Sequence, residues 1–270
     1  GFNIPGLMVS SEGLLGVMFE FIFKLIPKPQ ASKSMLVIYK DIIKASETVS
    51  RIIASKILPA TLELLDGFTI KSVEDATKIG LPTDADALLL IEVDGHPALV
   101  EEDYQRILEI CKGLGGMVKV AESAQEKDKI WEARRKALSC LARMKPTVIL
   151  EDATVPRSKL ADMMKAIKGI SSKYNLTIGT FGHAGDGNLH PTILTDRRNK
   201  DEMERVEKAI DEIFDTALKL DGTLSGEHGI GISKAKYLEK EVGKGTILFM
   251  KKLKKGLDPK NLLNPYKMSI

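Results

Sequence analysis

The chain has 270 residues, of which 43% are hydrophobic and 29% are charged, a composition that can bury a sizeable core in one large or two modest domains. Its 40 basic and 37 acidic side chains give a net charge of +3, which is too balanced to indicate nucleic-acid binding, and the 5% of aromatic residues supply few surfaces for base stacking. The two cysteines, Cys111 and Cys140, lack paired spacing. We therefore expect buried thiols in a reducing, intracellular location rather than a disulfide framework.

The most apolar stretch, residues 14–26, contains Glu20 and Lys24 and is shorter than the ~20 residues that a bilayer-spanning helix needs. No basic flank precedes it, so it does not resemble a signal peptide. We therefore expect a cytoplasmic protein. The run KKLKK at residues 251–255 leaves a peripheral association with the membrane open, although a solvated helix face is the favoured interpretation.

The first predicted strand is VMFEFIFKLI, residues 17–26. Its odd-numbered positions are all large and apolar, and its charged residues, Glu20 and Lys24, fall on the opposite side. Pro27 and Pro29 end the strand. The adjoining PKPQASKS, residues 27–34, is the clearest domain boundary. Because the chain starts at Gly1, without a methionine and shortly before this predicted strand, we expect a fragment whose upstream part is absent.

Strands and helices then alternate. Strands are predicted at MLVIYKD, LELLD, ALLLIEVD and GMVKVAE, with helices at ASETVSRIIASKI, near 70–79 and at PALVEEDYQRILEICKGL, which is a ferredoxin-like order of βαβ units. A similar unit follows, with strands at TVILEDATV, LTIGTFGH and NLHPTIL and a helix at PRSKLADMMKAIKGISSKY. Helices near 199–220 and 245–256 close the chain. The prediction is an α+β fold, in which helices cover one face of an antiparallel sheet.

The segment GHAGDGNLH, residues 182–190, joins the end of one predicted strand to the start of the next through a glycine-rich turn, a pattern that is typical of a hairpin. Cross-strand neighbours project to the same face, so His183 and His190 are expected close together. Two imidazoles suit a divalent ion, but a catalytic zinc-type site needs at least three protein ligands. A glycine-rich hairpin with a histidine bonded to the backbone is the alternative, and this segment alone does not decide between them.

A second glycine-rich segment, SGEHGIG at residues 225–231, favours the metal. Glu227 can supply the missing oxygen ligand, and the adjacent His228 can act as a base. The rival interpretation is a phosphate cradle at the start of the helix ISKAKYLEK, but the glycine spacing is that of neither a dinucleotide-binding motif nor a P-loop.

The helix KIWEARRKAL, residues 129–138, places Trp131 three residues before Arg134, so both project from similar faces. Arginine binds carboxylates bidentately in a way that lysine does not, which makes Arg134 a candidate substrate clamp. For Arg135 and Lys136 a solvated helix face is the favoured interpretation.

These motifs occur together in one order: GLMVSSEGLLGVMFEFIFKLIPKP, W-E-A-R, GHAGDGNLH, GEHGIG and LDPKNLLNPYK. With these motifs in this order, the chain resembles the FAD-dependent 2-hydroxy acid dehydrogenases and oxidases of the vanillyl-alcohol-oxidase type. The resemblance is greatest to the members that act on glycolate, D-lactate or D-2-hydroxyglutarate. The resemblance implies that residues 1–30 are the C-terminal remnant of an FAD-binding domain and that residues 31–270 are the cap, or substrate, domain.

The resemblance also implies cofactor contacts. Five positions match the family's flavin-contacting residues: Ser11, Glu12, Gly13, Gly16 and Asn264. Because the family's main FAD domain is not in this chain, we expect the fragment alone to bind FAD weakly or not at all and to be inactive.

Three positions match the ligands of a divalent metal (Zn²⁺, Mn²⁺ or Fe²⁺) in the family's metal-dependent members: His183, His190 and Glu227. The resemblance further implies that His228 is the base, that Arg134 binds the substrate carboxylate and that Asn188 lies near the substrate. Members acting on D-2-hydroxyglutarate have further polar contacts one helical turn after the arginine and near the next strand, where this chain has Leu138 and TVILEDATV. A small monocarboxylate such as glycolate or lactate is therefore favoured.

The expected reaction is oxidation of a 2-hydroxy acid to a 2-oxo acid by hydride transfer to FAD, with a quinone, cytochrome or electron-transfer protein as acceptor. Two alternatives stay open: a non-catalytic module that binds a metal or carboxylate, and a subunit completed by a separate FAD-binding chain. We accordingly expect a homodimer or a hetero-oligomer, and no nucleic-acid partner.

Overall fold

The computed structural model describes residues 1–121 and 123–270. The chain divides into two compact units, which are described separately: the sheet unit, residues 28–222, and the terminal unit, residues 1–27 together with 223–270. The strands in chain order are β1 Ala31–Tyr39, β2 Thr61–Asp66, β3 Ala87–Gly95, β4 Met117–Val120, β5 Thr147–Leu150, β6 Ala153–Thr154, β7 Thr177–His183 and β8 Asn188–Thr195. The helices are α1 Ile4–Met8, α2 Ile42–Ala54, α3 Gly67–Thr77, α4 Pro97–Gly113, α5 Ala124–Leu141, α6 Leu160–Tyr174, α7 Lys200–Lys219 and α8 Ala235–Leu257.

In the sheet unit, apart from position 122, these strands form one antiparallel sheet in the order β4-β1-β3-β2-β7-β8-β5, and β6 pairs with β8. The order β4-β1-β3-β2 is that of a ferredoxin-like unit, so the predicted α+β fold with an antiparallel sheet is confirmed. TVILEDATV, predicted as a single strand, is divided into β5 and β6, with Glu151 and Asp152 between them.

Helix formation follows the spacing of the apolar residues. In α2, Asp41 caps the first turn by accepting a hydrogen bond from the backbone N–H of Ile43 at 2.8 Å. Ala45, Val49 and Ile52 then recur at helical spacing and are fully buried. The same pattern of cap and apolar stripe builds α7, which confirms the helix predicted near 199–220.

Helices cover both faces of the sheet, so the prediction of helices on one face is wrong. On the face that includes Leu64 and Leu89, α2, α4, α6 and α7 bury the larger core. On the face that includes Leu65 and Phe181, α3 and α5 bury a second core. We call these the first and the second face. Strand β3 is apolar on both sides (ALLLI), which requires apolar cover on both faces.

The predicted strand at residues 17–26 is also wrong. This segment belongs to no helix or strand, and its aromatic side chains are exposed, Phe19 by 89% and Phe23 by 77%. Alternation of apolar side chains predicts a strand only where a neighbouring strand satisfies the backbone hydrogen bonds. Within the described residues, no strand pairs with residues 17–26.

In the terminal unit, a buried lysine ties the end of the chain to its beginning. Lys254 Nζ donates to the carbonyl oxygens of Leu14 at 3.0 Å and Leu263 at 2.6 Å, and it pairs with Asp258. Helix α8 contains the helix predicted near 245–256 and is interrupted at Gly243, where φ is +75°.

In neither unit is any described helix long and apolar enough to cross a membrane. Both cysteines are buried, as predicted, and burial raises the pKa of the Cys111 thiol to about 11.

Candidate active site

Two histidines of the hairpin β7–β8 project from the second face of the sheet. Phe181 pairs directly with His190 and His183 with Asn188, so the two imidazoles are diagonal neighbours rather than directly opposite. Their ring centroids are 5.5 Å apart and the rings are nearly perpendicular. The four-residue loop between the strands closes at Gly187, where φ is +81° and a Cβ atom would lie 2.1 Å from the carbonyl oxygen of Val155.

Glu63, on the neighbouring strand β2, holds His183 and Arg134 at once. Its Oε1 lies 2.6 Å from His183 Nδ1, and its Oε2 accepts a hydrogen bond of 2.6 Å from Arg134 Nε. The Glu63 side chain is only 6% exposed. Burial by itself raises the pKa of Glu63, but the hydrogen bond with His183 and the charge of Arg134 outweigh it and hold the pKa below its usual range.

His190 has a comparable partner. Its Nδ1 lies 3.3 Å from Asp152 Oδ1, and both side chains are almost fully buried. Each histidine of the hairpin therefore has a buried carboxylate close to Nδ1, and that of His183 forms a hydrogen bond. This is the arrangement by which proteins commonly orient metal-binding histidines. We call Glu63, Arg134, Asp152, His183 and His190 the histidine cluster.

Arg134 reaches the cluster from α5. Its guanidinium lies over the ring of Phe181, 4.9 Å from the centroid, and its Nη2 is 3.4 Å from His183 Nε2. Trp131, one turn earlier, packs against the apolar core of the second face. Arg135 and Lys136 are exposed on the outer side of the helix. The structure thus separates Arg134 from its basic neighbours in the way that its spacing from Trp131 indicates.

Asn188 begins β8, is 4% exposed and sits opposite His183. Its Oδ1 accepts a hydrogen bond of 2.8 Å from Thr154 Oγ1 on β6. The amide is thereby oriented with its oxygen towards β6, and its NH₂ group is the part that could donate to a ligand.

Glu227 and His228 lie in the terminal unit, on a loop before α8. Their side chains are 46% and 40% exposed, with His228 Nε2 at 3.7 Å from Glu227 Oε1. Both line a cavity of about 340 Å³ together with Glu12 and Ser225. Ser225 Oγ accepts a hydrogen bond of 2.7 Å from the N–H of Gly229, which shapes the glycine-rich loop around the cavity.

All five predicted flavin contacts lie in the terminal unit. The Glu12 carboxylate accepts hydrogen bonds from the backbone N–H groups of Ile230 and Gly231, and Asn264 Nδ2 donates to the Glu12 carbonyl oxygen at 3.0 Å. At Gly13 a Cβ atom would lie 2.4 Å from Asn264 Nδ2. Two further predicted contacts lie on the same turn: Ser11, which is 8% exposed, and Gly16.

Residues 28–268 match the sequence profile of the family described as "FAD linked oxidases, C-terminal domain". The chain belongs to this family. This confirms the family resemblance that the motifs indicate.

Relatives of this FAD-linked oxidase domain are longer proteins. The chain is 56% identical over 269 residues to glycolate oxidase subunit GlcD of Bacillus subtilis (strain 168), covering 99% of this chain and 57% of that protein. It is 36% identical over 268 residues to GlcD of Escherichia coli (strain K12), covering 99% and 54%. It is 33% identical over 271 residues to the mitochondrial D-lactate dehydrogenase [cytochrome] of Arabidopsis thaliana, covering 99% and 47%. The chain thus spans about half the length of these relatives.

Solved structures share the fold of this domain. Alkyldihydroxyacetonephosphate synthase superposes with a TM-score of 0.67 at 17% identity, over 98% of this chain and 50% of that one. p-Cresol methylhydroxylase superposes with a TM-score of 0.65 at 17% identity, over 92% and 54%. At this identity the likeness shows the architecture alone.

Two acids that lie beside the histidines are absent from the sequence prediction: Glu63 and Asp152. The signal for Glu63 is a lone acid within the apolar strand LELLD, at a position that alternation assigns to a sheet face. Asp152 follows the apolar run TVIL and Glu151, outside any alternating strand pattern that would assign it to a sheet face. Both contacts join residues far apart in the chain, which spacing within a motif does not reveal.

Proposed function

We propose that this chain is the substrate domain, with the end of an FAD-binding domain, of an enzyme that oxidises a small 2-hydroxy acid to the 2-oxo acid by hydride transfer to FAD. The proposed domain boundary is at residue 30. The observation that carries the proposal is that Arg134 and His183 share the carboxylate of Glu63. A cation suited to the substrate carboxylate therefore lies against an imidazole suited to a metal. Relatives named glycolate oxidase subunit and D-lactate dehydrogenase support the substrate class.

The donor set of the histidine cluster fits a divalent metal. His183 and His190 have ring centroids 5.5 Å apart, His183 Nδ1 is hydrogen-bonded to Glu63, and His190 Nδ1 lies 3.3 Å from Asp152 Oδ1. We propose Glu227 as the oxygen ligand that completes a His₂Glu set of the kind used by catalytic metals. When bound, Zn²⁺, Mn²⁺ or Fe²⁺ would polarise the 2-hydroxyl group and lower its pKa.

The terminal unit has a buried polar atom that fits a cofactor contact. Ser11 Oγ is buried and has no hydrogen-bond partner among the described residues. It lines a mostly apolar cavity of about 270 Å³. We propose that five residues face FAD: Ser11, Glu12, Gly13, Gly16 and Asn264. When bound, FAD would supply the two-electron acceptor.

The chain's own residues bind the substrate and move one proton. Arg134 binds the carboxylate of the 2-hydroxy acid through paired N–H groups, and Asn188 donates from its NH₂ group. Neutral His228 accepts the proton of the 2-hydroxyl group. The hydrogen on Cα leaves with its bonding electron pair, and the carbon–oxygen bond becomes the carbonyl of the 2-oxo acid.

We propose a short monocarboxylate, glycolate or D-lactate, as the substrate. Leu138 stands one turn after Arg134 on α5 and presents no polar group to a second carboxylate. We further propose a quinone, cytochrome or electron-transfer protein as the electron acceptor, a homodimer or hetero-oligomer as the assembly, and a cytoplasmic location.

A panel of 2-hydroxy acids tests the proposal on the full-length protein with a dye as electron acceptor. Glycolate or D-lactate is expected to reduce the dye faster than D-2-hydroxyglutarate, and a chelator is expected to lower the rate. Absence of dye reduction with every 2-hydroxy acid would overturn the proposed activity. Retention of the full rate in metal-depleted protein, with no metal by elemental analysis, would overturn the metal site alone.

A further inference from the structure

We propose that Glu63 is a positioning residue that holds Arg134 and His183 in one hydrogen-bonded frame and sets His183 as the tautomer with its proton on Nδ1. The roles of Arg134 as carboxylate clamp and His183 as metal ligand rest on the proposed function. The frame itself rests only on contacts within the sheet unit, so it can be tested without turnover.

The frame is a closed triangle of three side chains from three elements. Glu63 on β2 contacts His183 on β7 and Arg134 on α5, each at 2.6 Å, and Arg134 Nη2 closes the triangle with His183 Nε2 at 3.4 Å. Strands β2 and β7 are neighbours in the sheet, and Leu64 pairs with Gly182, so the backbone places Glu63 beside His183. Displacing any one of the three side chains therefore breaks two contacts.

The chemistry of the two partners determines where the imidazole proton lies. The Glu63 carboxylate, paired with arginine, is an acceptor only, so His183 Nδ1 must donate to it. Arginine is a donor only, so His183 Nε2 must accept from it. Both requirements are met only by the neutral imidazole protonated on Nδ1. That tautomer has its lone pair on Nε2, where a metal ion would take the place of the Arg134 contact.

The same carboxylate orients the guanidinium. Arg134 donates to Glu63 through Nε, on one side of the planar guanidinium, and the guanidinium lies over the ring of Phe181. With Nε engaged, the distal Nη1/Nη2 edge is the one that can bind a carboxylate bidentately. Nη2 is the atom next to His183, so the frame places the carboxylate-binding edge beside the imidazole.

The second face contains a comparable acid, Glu92, which also joins α5 to the sheet. Glu92 on β3 is opposite Thr61, two positions from Glu63 on β2, and its side chain is 16% exposed. It accepts a hydrogen bond from Ser34 Oγ at 2.7 Å and forms an ion pair with Lys127 Nζ at 2.9 Å, so it too connects α5 to the sheet. Glu92→Gln therefore serves as a control for loss of an acid that joins α5 to the sheet.

The test compares Glu63→Gln with Glu92→Gln in the metal-free 270-residue chain. Long-range ¹H–¹⁵N correlation spectra of the His183 ring are expected to show the Nδ1–H tautomer in the unmodified chain and in Glu92→Gln, and to lose it in Glu63→Gln. In the glutamine, one of the two oxygens that face His183 and Arg134 is replaced by an NH₂ group, which only donates, so one of the two partners loses its acceptor. Titration with Zn²⁺ is expected to show a loss of affinity of about 10–100-fold in Glu63→Gln, the usual effect of removing a residue that orients a metal ligand.

In the full-length enzyme, Glu63→Gln is expected to raise KM for the 2-hydroxy acid by about tenfold or more, because a misplaced arginine weakens a charged hydrogen bond. Glu92→Gln is expected to change KM less than twofold. If Glu63→Gln does not fold, as judged by circular dichroism, Glu63→Asp replaces it. The shorter carboxylate is expected to keep the Nδ1–H tautomer while raising KM.

An Nε2–H tautomer in the unmodified chain would overturn the proposal, as would a Glu63→Gln chain with the spectrum and Zn²⁺ affinity of Glu92→Gln. Failure of the full-length enzyme to oxidise any 2-hydroxy acid is a different result. It would remove the proposed function but leave the tautomer of His183, and its dependence on Glu63, as measured.

Discussion

The two faces of the sheet differ in how their side chains interact: by apolar packing on the first face and by packing together with charged hydrogen bonds on the second. On the first face, Leu62, Leu64 and Ile91 pack against four helices in an apolar core. On the second face, two helices bury a smaller core, and beside it charged groups satisfy one another through short hydrogen bonds. The first face stabilises the fold by area buried, whereas the second face must keep a few polar atoms in set orientations. One strand, β2, thus contributes to stability through Leu64 and to positioning through Glu63.

The largest expected effect comes from a residue outside both faces. In the full-length enzyme, His228→Ala is expected to lower kcat by roughly 10²–10⁴-fold, because it removes the proposed proton acceptor. Bound metal, measured by elemental analysis, is expected to stay near that of the unmodified enzyme. A variant that retains normal turnover would contradict the proposed role of His228, and would favour a binding module over an enzyme.

The next effect tests the first face. Leu64→Ala is expected to lower the free energy of unfolding by about 2–5 kcal/mol, because Leu64 is fully buried and its truncation leaves a cavity. Urea unfolding of the 270-residue chain measures the change. In the full-length enzyme at a temperature where it stays folded, kcat is expected to remain within about twofold of normal. A large loss of kcat without loss of stability would show that the two faces are not separated in this way.

On the second face, a substitution is expected to change KM rather than stability. Arg134→Lys keeps the charge but loses the planar group that bonds to Glu63 and covers Phe181. KM for the 2-hydroxy acid is expected to rise by about 10–100-fold, the equivalent of one hydrogen bond between charged groups. Thermal unfolding is expected to change little compared with Leu64→Ala. An unchanged KM would contradict the assignment of Arg134 as the carboxylate clamp.

The smallest effect concerns the pH dependence of stability. Asp66 ends β2, and burial raises its pKa to about 6, although its carboxylate accepts hydrogen bonds from the N–H groups of Thr69 and Thr180. The folded chain therefore holds this proton more tightly than the unfolded chain, whose pKa is near 3.8. The contribution to stability is complete below pH about 4 and is lost as the pH rises through about 6.

Asp66→Asn removes this titration and can still cap α3. Urea unfolding at pH 4, 5, 6 and 7 is expected to show that stability falls less with rising pH in Asp66→Asn than in the unmodified chain. Glu92→Gln serves as the control for loss of an acid elsewhere on the sheet. Parallel pH profiles for Asp66→Asn and the unmodified chain would show that the pKa of Asp66 is not raised.

Local patterns predicted the elements that are stabilised by their own sequence. The hairpin at 182–190 follows from two alternating strands around a glycine-rich turn, and that register brings His183 and His190 to one face. The helix with Trp131 and Arg134 follows from helical spacing. Residues 17–26 show the limit of this reasoning. Their alternation is as clear as that of β7, but a strand requires a partner, and pairing is a non-local property.

Three features follow from the amino-acid sequence alone: the family, the ferredoxin-like order of strands and helices, and the residue types that can bind a metal and a carboxylate. These depend on periodicity and on short motifs, in which the interacting residues are close along the chain. The acid that contacts both His183 and Arg134 is evident only from tertiary contacts. Glu63 and His183 are 120 positions apart, and Glu63 and Arg134 are 71 apart. They meet because β2 pairs with β7 and α5 covers the second face, and no spacing within a motif records that pairing.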